Sequence, residues 1–326
     1  MIVPYPFSLS ILDQSPRHQK ETDAQAIQHT IRLATLADQW GYHRFWVAEH
    51  HGDKTLVSAT PEILLTHLCQ LTKRIRIGTG GILLPHYSPL KVAEVVNTIR
   101  ILFPQRTDIG IGRSLGCDPA FARFLGTSDA MNQQVFEQKL ETLIALLNGT
   151  GEFTPRTHSE DSLWLLSSSG ASAILAAKYG LALSFAHFIN PSEGPSIVEA
   201  YRTEIQKQYT NQSIALSIAV LAVCAETVEK SIELATIMAF LLMQNEYGQP
   251  NGVPDYASIM EMEMEDHLRR RIAFHLKRIV HGTPTDVMNQ LQTIANNYQS
   301  NEIMIITITD DAQSRERSYE LLSQFL

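Results

Sequence analysis

The sequence predicts an α/β chain folded as a (β/α)8 TIM barrel with an insertion between strands seven and eight. Three observations carry this. Eight short segments rich in Ile, Leu and Val alternate with helical patterns from end to end. The strand segments are apolar on both parities, as parallel strands covered on both faces are. No linker divides the 326 residues, so a single domain is expected over 1–326. A doubly wound sheet is the alternative.

The expected strands are 7–12, 45–50, 75–81, 108–113, 163–168, 182–186, 214–223 and 303–307. The first helix, 24–40, carries Ile27, Ile31, Ala34, Leu36 and Ala37 on its apolar positions and stops at Gly41. Helices follow at 61–71, 90–102, 130–147, 171–179, 197–208 and 227–243. Thr60-Pro61, Ser88-Pro89 and Thr283-Pro284 read as hydroxyl caps with proline in the first turn. Asp286 adds a capping box to the last. The stretch 244–257, with Gly248, Pro250, Gly252 and Pro254, is irregular and reads as a lid or a surface excursion. Extra helices over 258–280 and 283–297 complete an insertion of about 244–300.

Composition narrows the function. The formal net charge is −8, from 26 basic and 34 acidic residues. The densest basic run, Arg269-Arg270-Arg271, follows Glu261, Glu263, Glu265 and Asp266, so it reads as a solvated helix face rather than a nucleic-acid surface. Cys69, Cys117 and Cys224 form no CxxC, which fits a reducing compartment. No apolar run approaches the ~18–20 residues that span a bilayer, and the start of the chain lacks a basic leader. A cytoplasmic protein with no membrane partner is expected.

Chemistry concentrates at the carboxyl ends of the strands. Strand two runs into Glu49-His50-His51, with Asp53 beyond. Adjacent strand residues face opposite sides, so the two imidazoles do not readily share a metal, and no metal site is expected. If Trp46 and Ala48 point inward, so does His50, at the mouth, where its pKa suits proton transfer. Glu49 then points toward the helices and needs a partner such as Arg74 or Arg76. Strand four ends in Gly110-Ile-Gly-Arg113; the glycines, with Gly116, have the wrong spacing for a dinucleotide fingerprint. Arg113 reads either as a phosphate fork or as one half of a rim ion pair. Strand five ends in Ser167-Ser168-Ser169, with Ser172 in the helix that follows, offering hydroxyls and a helix N-terminus to a phosphate. Gly78-Thr79-Gly80-Gly81 ends strand three, where a flat ligand could approach the backbone or where a bulge could sit.

In this order, Glu49-His50-His51, Gly78 through Pro85, Gly110 through Arg113 and Ser168 through Gly180 resemble the bacterial luciferase-like monooxygenases. The resemblance implies a barrel that binds FMN at its mouth and oxygenates a small organic substrate with O2. It assigns His50 to catalysis. Gly80, Gly81, Arg113, Ser168, Ser169 and Ser172 would bind the cofactor. It also implies reduced FMN supplied by a separate NAD(P)H-flavin reductase, with the deazaflavin F420 as the alternative cofactor, and a homodimer. The apolar faces of the second and third helices, Ile63, Leu64, His67 and Leu68 with Val92, Val95, Val96 and Ile99, read either as its interface or as ordinary sheet-facing stripes. In the luciferase catalytic chain a glutamate stands at the position of Ser168, and the glycine pair there includes a non-proline cis peptide. Three residues depart from the family pattern. Ser167 replaces a common glycine and adds a side chain beside the expected phosphate. Gln105 replaces the glycine of a Pro-Gly-Arg turn, and Cys117 a frequent threonine. Two rival functions stay open: a non-catalytic flavin- or ligand-binding barrel, and a metal-dependent hydrolase using His50, His51 and Asp53.

Overall fold

Buried strands followed by capped helices close the chain into a parallel barrel. The computed structural model describes residues 5–125, 132–157, 163–209, 214–248 and 251–326. In chain order these hold β1 (Ser8–Asp13), α1 (Asp23–Trp40), β2 (Arg44–Val47), α2 (Pro61–Leu71), β3 (Arg76–Leu83), α3 (Pro89–Leu102), β4 (Thr107–Gly112) and α4 (Pro119–Ala122). Then come α5 (Gln133–Leu147), β5 (Leu163–Ser167), α6 (Gly170–Lys178), β6 (Ala182–Ala186), α7 (Gly194–Gln208) and β7 (Leu216–Cys224). The last are α8 (Val228–Glu246), α9 (Tyr256–Glu261), α10 (Asp266–Leu276), β8 (Val280–Gly282), α11 (Pro284–Tyr298), β9 (Glu302–Ile306) and α12 (Ala312–Ser323). The expected helix over 130–147 begins, as described, at the Asn132 cap; its first two positions lie outside the described residues.

Strands β1 to β6 pair in sequence, β6 pairs with β7, β7 with β9, and β9 with β1, all parallel. That ring of eight is the (β/α)8 barrel the sequence predicts. The ninth strand was not expected. Strand β8 pairs only with the last residues of β7, Ala222–Cys224, beyond the ring. Three residues carry no readable period, so the sequence gives no sign of it.

Parity divides the barrel core as strand geometry requires. Ile11, Phe45, Val47, Ile77, Ile109, Leu165, Ile218 and Ile305 pack against the helices. Leu12, Trp46, Trp164, Ala182, Ala219, Met304 and Ile306 form the inner cluster, which continues into α8 and α9. At the amino ends of the strands the interior is filled by charge. Arg44 Nη1 lies 2.7 Å from Asp108 Oδ2, and its Nε 3.0 Å from Glu302 Oε1. Arg76 Nη2 reaches Asp108 Oδ1 at 2.8 Å. The Ser10 hydroxyl donates to Glu302 at 2.6 Å, and Trp46 Nε1 donates to Asp108 at 3.2 Å. The Arg44 guanidinium sits 4.9 Å over the Trp164 ring.

The region after β7 differs from the expected layout. Helix α11, which the sequence suggested as part of the insertion, packs in the outer ring against α7, α12, β7 and β9. Its first turn carries the expected capping interaction, with Asp286 accepting from the Thr283 N–H at 3.1 Å. Helix α8, expected in the ring, packs instead against α9, α10, β7 and β8. The excursion thus leaves the barrel at Cys224 and returns beside it at Gly282. Residues 252–253 of the supposed lid are tied to two mouth loops. Val253 N donates to Arg17 O at 2.9 Å, and Gln19 N to Val253 O at 3.0 Å. Gly252 N donates to Thr55 Oγ1 at 3.0 Å, and Arg17 N to Thr55 O at 2.7 Å.

Candidate functional site

The carboxyl ends of the strands enclose a cavity of about 240 Å3. Its wall includes His50, Gly80, Gly81, Arg113 and Ser168. These come from four strand ends, so the barrel itself assembles them.

The floor is backbone. The peptide between Gly80 and Gly81 is cis, and the β3–β4 register shifts between Thr79 and Ile82. The bulge reading of this segment holds. A Cβ at Gly81 would stand 2.7 Å from Gly110 O, and one at Gly80 would meet Leu12 Cδ1 at 2.5 Å. Only glycine leaves this surface flat.

His50 lines the cavity from the β2 side. Trp46, Ala48 and His50 share the inward side, as parity requires: Trp46 and Ala48 lie in the inner cluster and His50 in the cavity wall. The main chain is fixed by a His50 N to Ser58 O bond of 2.8 Å. The buried Nδ1 meets no hydrogen-bond partner among the described residues. Burial lowers the imidazole pKa, against weaker opposing pulls from Asp53 and Glu49. The ring is thus neutral near pH 7 and able to accept a proton.

Glu49 and His51 turn the other way. Glu49 does not reach Arg74 or Arg76. Arg74 bonds the Asp38 carbonyl, and Arg76 bonds Asp108. The Glu49 carboxylate accepts instead from His51 Nε2 at 2.7 Å, the Tyr87 hydroxyl at 2.7 Å and Leu83 N at 2.9 Å. Asp53 Oδ1 is taken by Thr55 N and Leu56 N. His50, His51 and Asp53 therefore do not converge, which removes the geometric basis for a metal hydrolase. Among the described residues no group of three or more His, Cys, Asp or Glu side chains could hold a metal.

Arg113 follows the last residue of β4 and is half-buried in the cavity wall. No hydrogen bond or ion pair to its guanidinium occurs among the described residues, so the rim ion pair is not formed there. Ser169 caps α6 without a side-chain bond, and Ser172 is buried within that helix. Neither reaches the cavity wall, which stops at Ser167 and Ser168. Ser167 does not crowd a ligand with a free hydroxyl. Its Oγ donates to Ser169 O at 2.8 Å and accepts from Ser169 N at 3.2 Å.

Several wall residues escaped sequence reasoning. Gln14, Ser184, Phe188 and Ile189 line the cavity, yet each is an ordinary residue near a strand end with no motif around it. His187 lies among them in sequence, with Nδ1 2.9 Å from the Tyr298 hydroxyl. Burial, aided by the Arg278 charge, pushes its pKa down to about 4.

Comparison with known proteins agrees with this architecture. YwcH of Bacillus subtilis (strain 168) is 38% identical, over 97% of this chain and 98% of its own. The N-acetyl-S-alkylcysteine monooxygenase of the same organism is 32% identical, over 97% of each. The crystal structure of apo-MsnO8 superposes with a TM-score of 0.87 at 32% identity, covering 98% of both chains. Two remoter structures share the fold. One is the oxygenating constituent of 3,6-diketocamphane monooxygenase from Pseudomonas putida with FMN, at 15% identity, 98% and 97% coverage and a TM-score of 0.72. The other is an F420-dependent secondary alcohol dehydrogenase, at 14% identity, 98% coverage of both chains and a TM-score of 0.67. The sequence model of the luciferase-like monooxygenases matches residues 7–298, and the chain belongs to that family of oxygen-incorporating oxidoreductases.

Proposed function

We propose that this protein is an FMN-dependent monooxygenase that takes up reduced FMN from a separate NAD(P)H-flavin reductase and oxygenates a small organic substrate. The observation that carries the reading is Arg113. A half-buried guanidinium without a partner among the described residues shares one cavity with a side-chain-free floor and an unpartnered imidazole nitrogen. A partly desolvated cation left unpaired is costly unless a ligand anion meets it.

The residues fit the cofactor in three parts. Arg113 would grip the phosphate, with Ser168 beside it and the α6 N-terminus, Ser169 and Ser172 behind. Gly80 and Gly81 would lie flat against the ring system. Reduced FMN held there would supply the two electrons with which one oxygen atom of O2 goes to the substrate and the other to water. Leu12, Ala48, Leu166, Ala186 and Ala219 keep the reacting region apolar and limit water. His50, neutral through burial, would accept or return a proton through its imidazole.

Anaerobic titration with reduced FMN tests the reading. Saturable binding is expected, and its absence at millimolar FMN overturns it. Tighter binding of reduced F420 than of reduced FMN would reassign the cofactor. The same reading includes a cytoplasmic homodimer. Of the expected interface residues, Leu68, Val92, Val96 and Ile99 are buried in the core as sheet-facing stripes, and Ile63 is exposed. Ile63, with the exposed Leu71, Leu90, Ile101 and Leu102 on α2 and α3, supports the dimer. Sedimentation of a monomer at micromolar concentration would remove the dimer.

A further inference from the structure

We infer that Glu49 is the positioning residue of this cavity: its buried carboxylate locks the segment after β2 that carries His50 to the end of β3 just beyond the Gly80–Gly81 floor. The inference rests on the flavin reading above and adds a residue that contacts neither phosphate nor reacting atoms.

The Glu49 side chain has no exposure. Among the described residues no lysine or arginine pairs with it, and its charge is met by hydrogen bonds alone. A buried carboxylate is a costly filler for a wall that leucine could close, and it persists where its donors are fixed. Two of the donors sit at the end of β3 and the third on the loop of Glu49 itself. Leu83 ends β3, two residues beyond Gly81. Tyr87 lies just past the 3-10 turn Leu84–His86, which redirects the chain after that floor. His51 begins the loop after β2, and its main-chain N–H donates to Gly116 O at 2.7 Å, three residues past Arg113.

The lock is therefore two-sided. Side-chain bonds hold the β2 end to the β3 end, and the His51 main chain holds it to the loop after β4. His50, between two anchored neighbours, has its direction set by them. The Tyr87 hydroxyl is kept protonated by burial and by the Glu49 bond, so it stays a donor. Loss of the carboxylate leaves a donor without its acceptor and lets the ends of β2 and β3 move independently.

The experiment compares wild type with Glu49→Gln and, as a control for general destabilisation, Leu291→Ala in the core of α11. Hydrogen–deuterium exchange of ligand-free protein reads the lock directly, and anaerobic titration reads reduced-FMN affinity. Glu49→Gln should speed exchange at least tenfold in residues 48–51 and 80–87 and weaken FMN at least tenfold. Leu291→Ala should leave both within twofold of wild type at a comparable loss of melting temperature. Unchanged exchange in Glu49→Gln overturns the lock, and so does equal loss of affinity in the Leu291 control. Wild-type protein that binds no reduced FMN overturns the flavin reading itself. Wild-type binding that survives Glu49→Gln undiminished overturns only the role of Glu49.

Discussion

The two ends of one barrel interior treat charge in opposite ways. At the amino end Arg44, Arg76, Asp108 and Glu302 neutralise one another, and hydroxyl and indole donors fill the remaining positions. At the carboxyl end Arg113 and the Nδ1 of His50 have no partner among the described residues, and glycines keep side chains away. The same fold thus closes one end with a finished ionic layer and leaves the other unfinished. The difference teaches where the ligand belongs: polar groups left over inside a packed protein need a partner from outside.

Substitutions at the two ends should fail in different currencies. The largest effect is expected at the amino end. Asp108→Ala strands two guanidinium groups and an indole N–H, and should cost about 3–5 kcal/mol of stability in urea unfolding. A loss below about 1 kcal/mol would break the contrast. Arg113→Ala should do the reverse. Unfolding free energy should stay within about 0.5 kcal/mol of wild type. Affinity for reduced FMN should fall by about 2–3 kcal/mol, roughly 30- to 150-fold, through loss of charge-assisted bonds to phosphate. Unchanged affinity removes the phosphate role.

Gly81→Ala probes the floor between these extremes. The added methyl meets the Gly110 main chain, which cannot turn aside as a side chain can. A stability loss of about 1–3 kcal/mol is expected, together with weaker flavin binding. The smallest effect concerns pH. The folded pKa of His187 lies near 4, below the ordinary histidine value of 6.5. The unfolded chain therefore binds more protons on acidification, and stability falls as pH drops from about 6.5 toward 4. Between pH 7 and 6 the loss should be on the order of half a kcal/mol. His187→Gln should flatten that slope in denaturation curves measured across the window.

Much of this contrast was legible from residues alone, though unevenly. Strand parity through Trp46 and Ala48 placed His50 inward, because period two depends only on local geometry. The apolar runs located the eight ring strands within a few residues. Partners could not be read. Glu49 finds Tyr87 and Leu83 across a turn whose path depends on the Gly80–Gly81 peptide, not on any spacing. The ring place of α11 was missed because an amphipathic helix shows that it has a buried face, not which neighbour covers it. Ser169 and Ser172 were assigned by their place after β5. Whether a hydroxyl there faces the cavity depends on how α6 starts, and that start directs the wall through Ser167 and Ser168.

The excursion begins and ends on paired residues. Cys224 and Gly282 face each other across one ladder step, about 5 Å apart. The ring itself closes through the β7–β9 pairing, so its circumference does not depend on the length of chain between those two residues. That chain is nonetheless fastened inward, since α8 and α9 extend the inner cluster and Val253 is bonded to Arg17 and Gln19. Lengthening the excursion is a surface event, whereas replacing its apolar face is a core mutation.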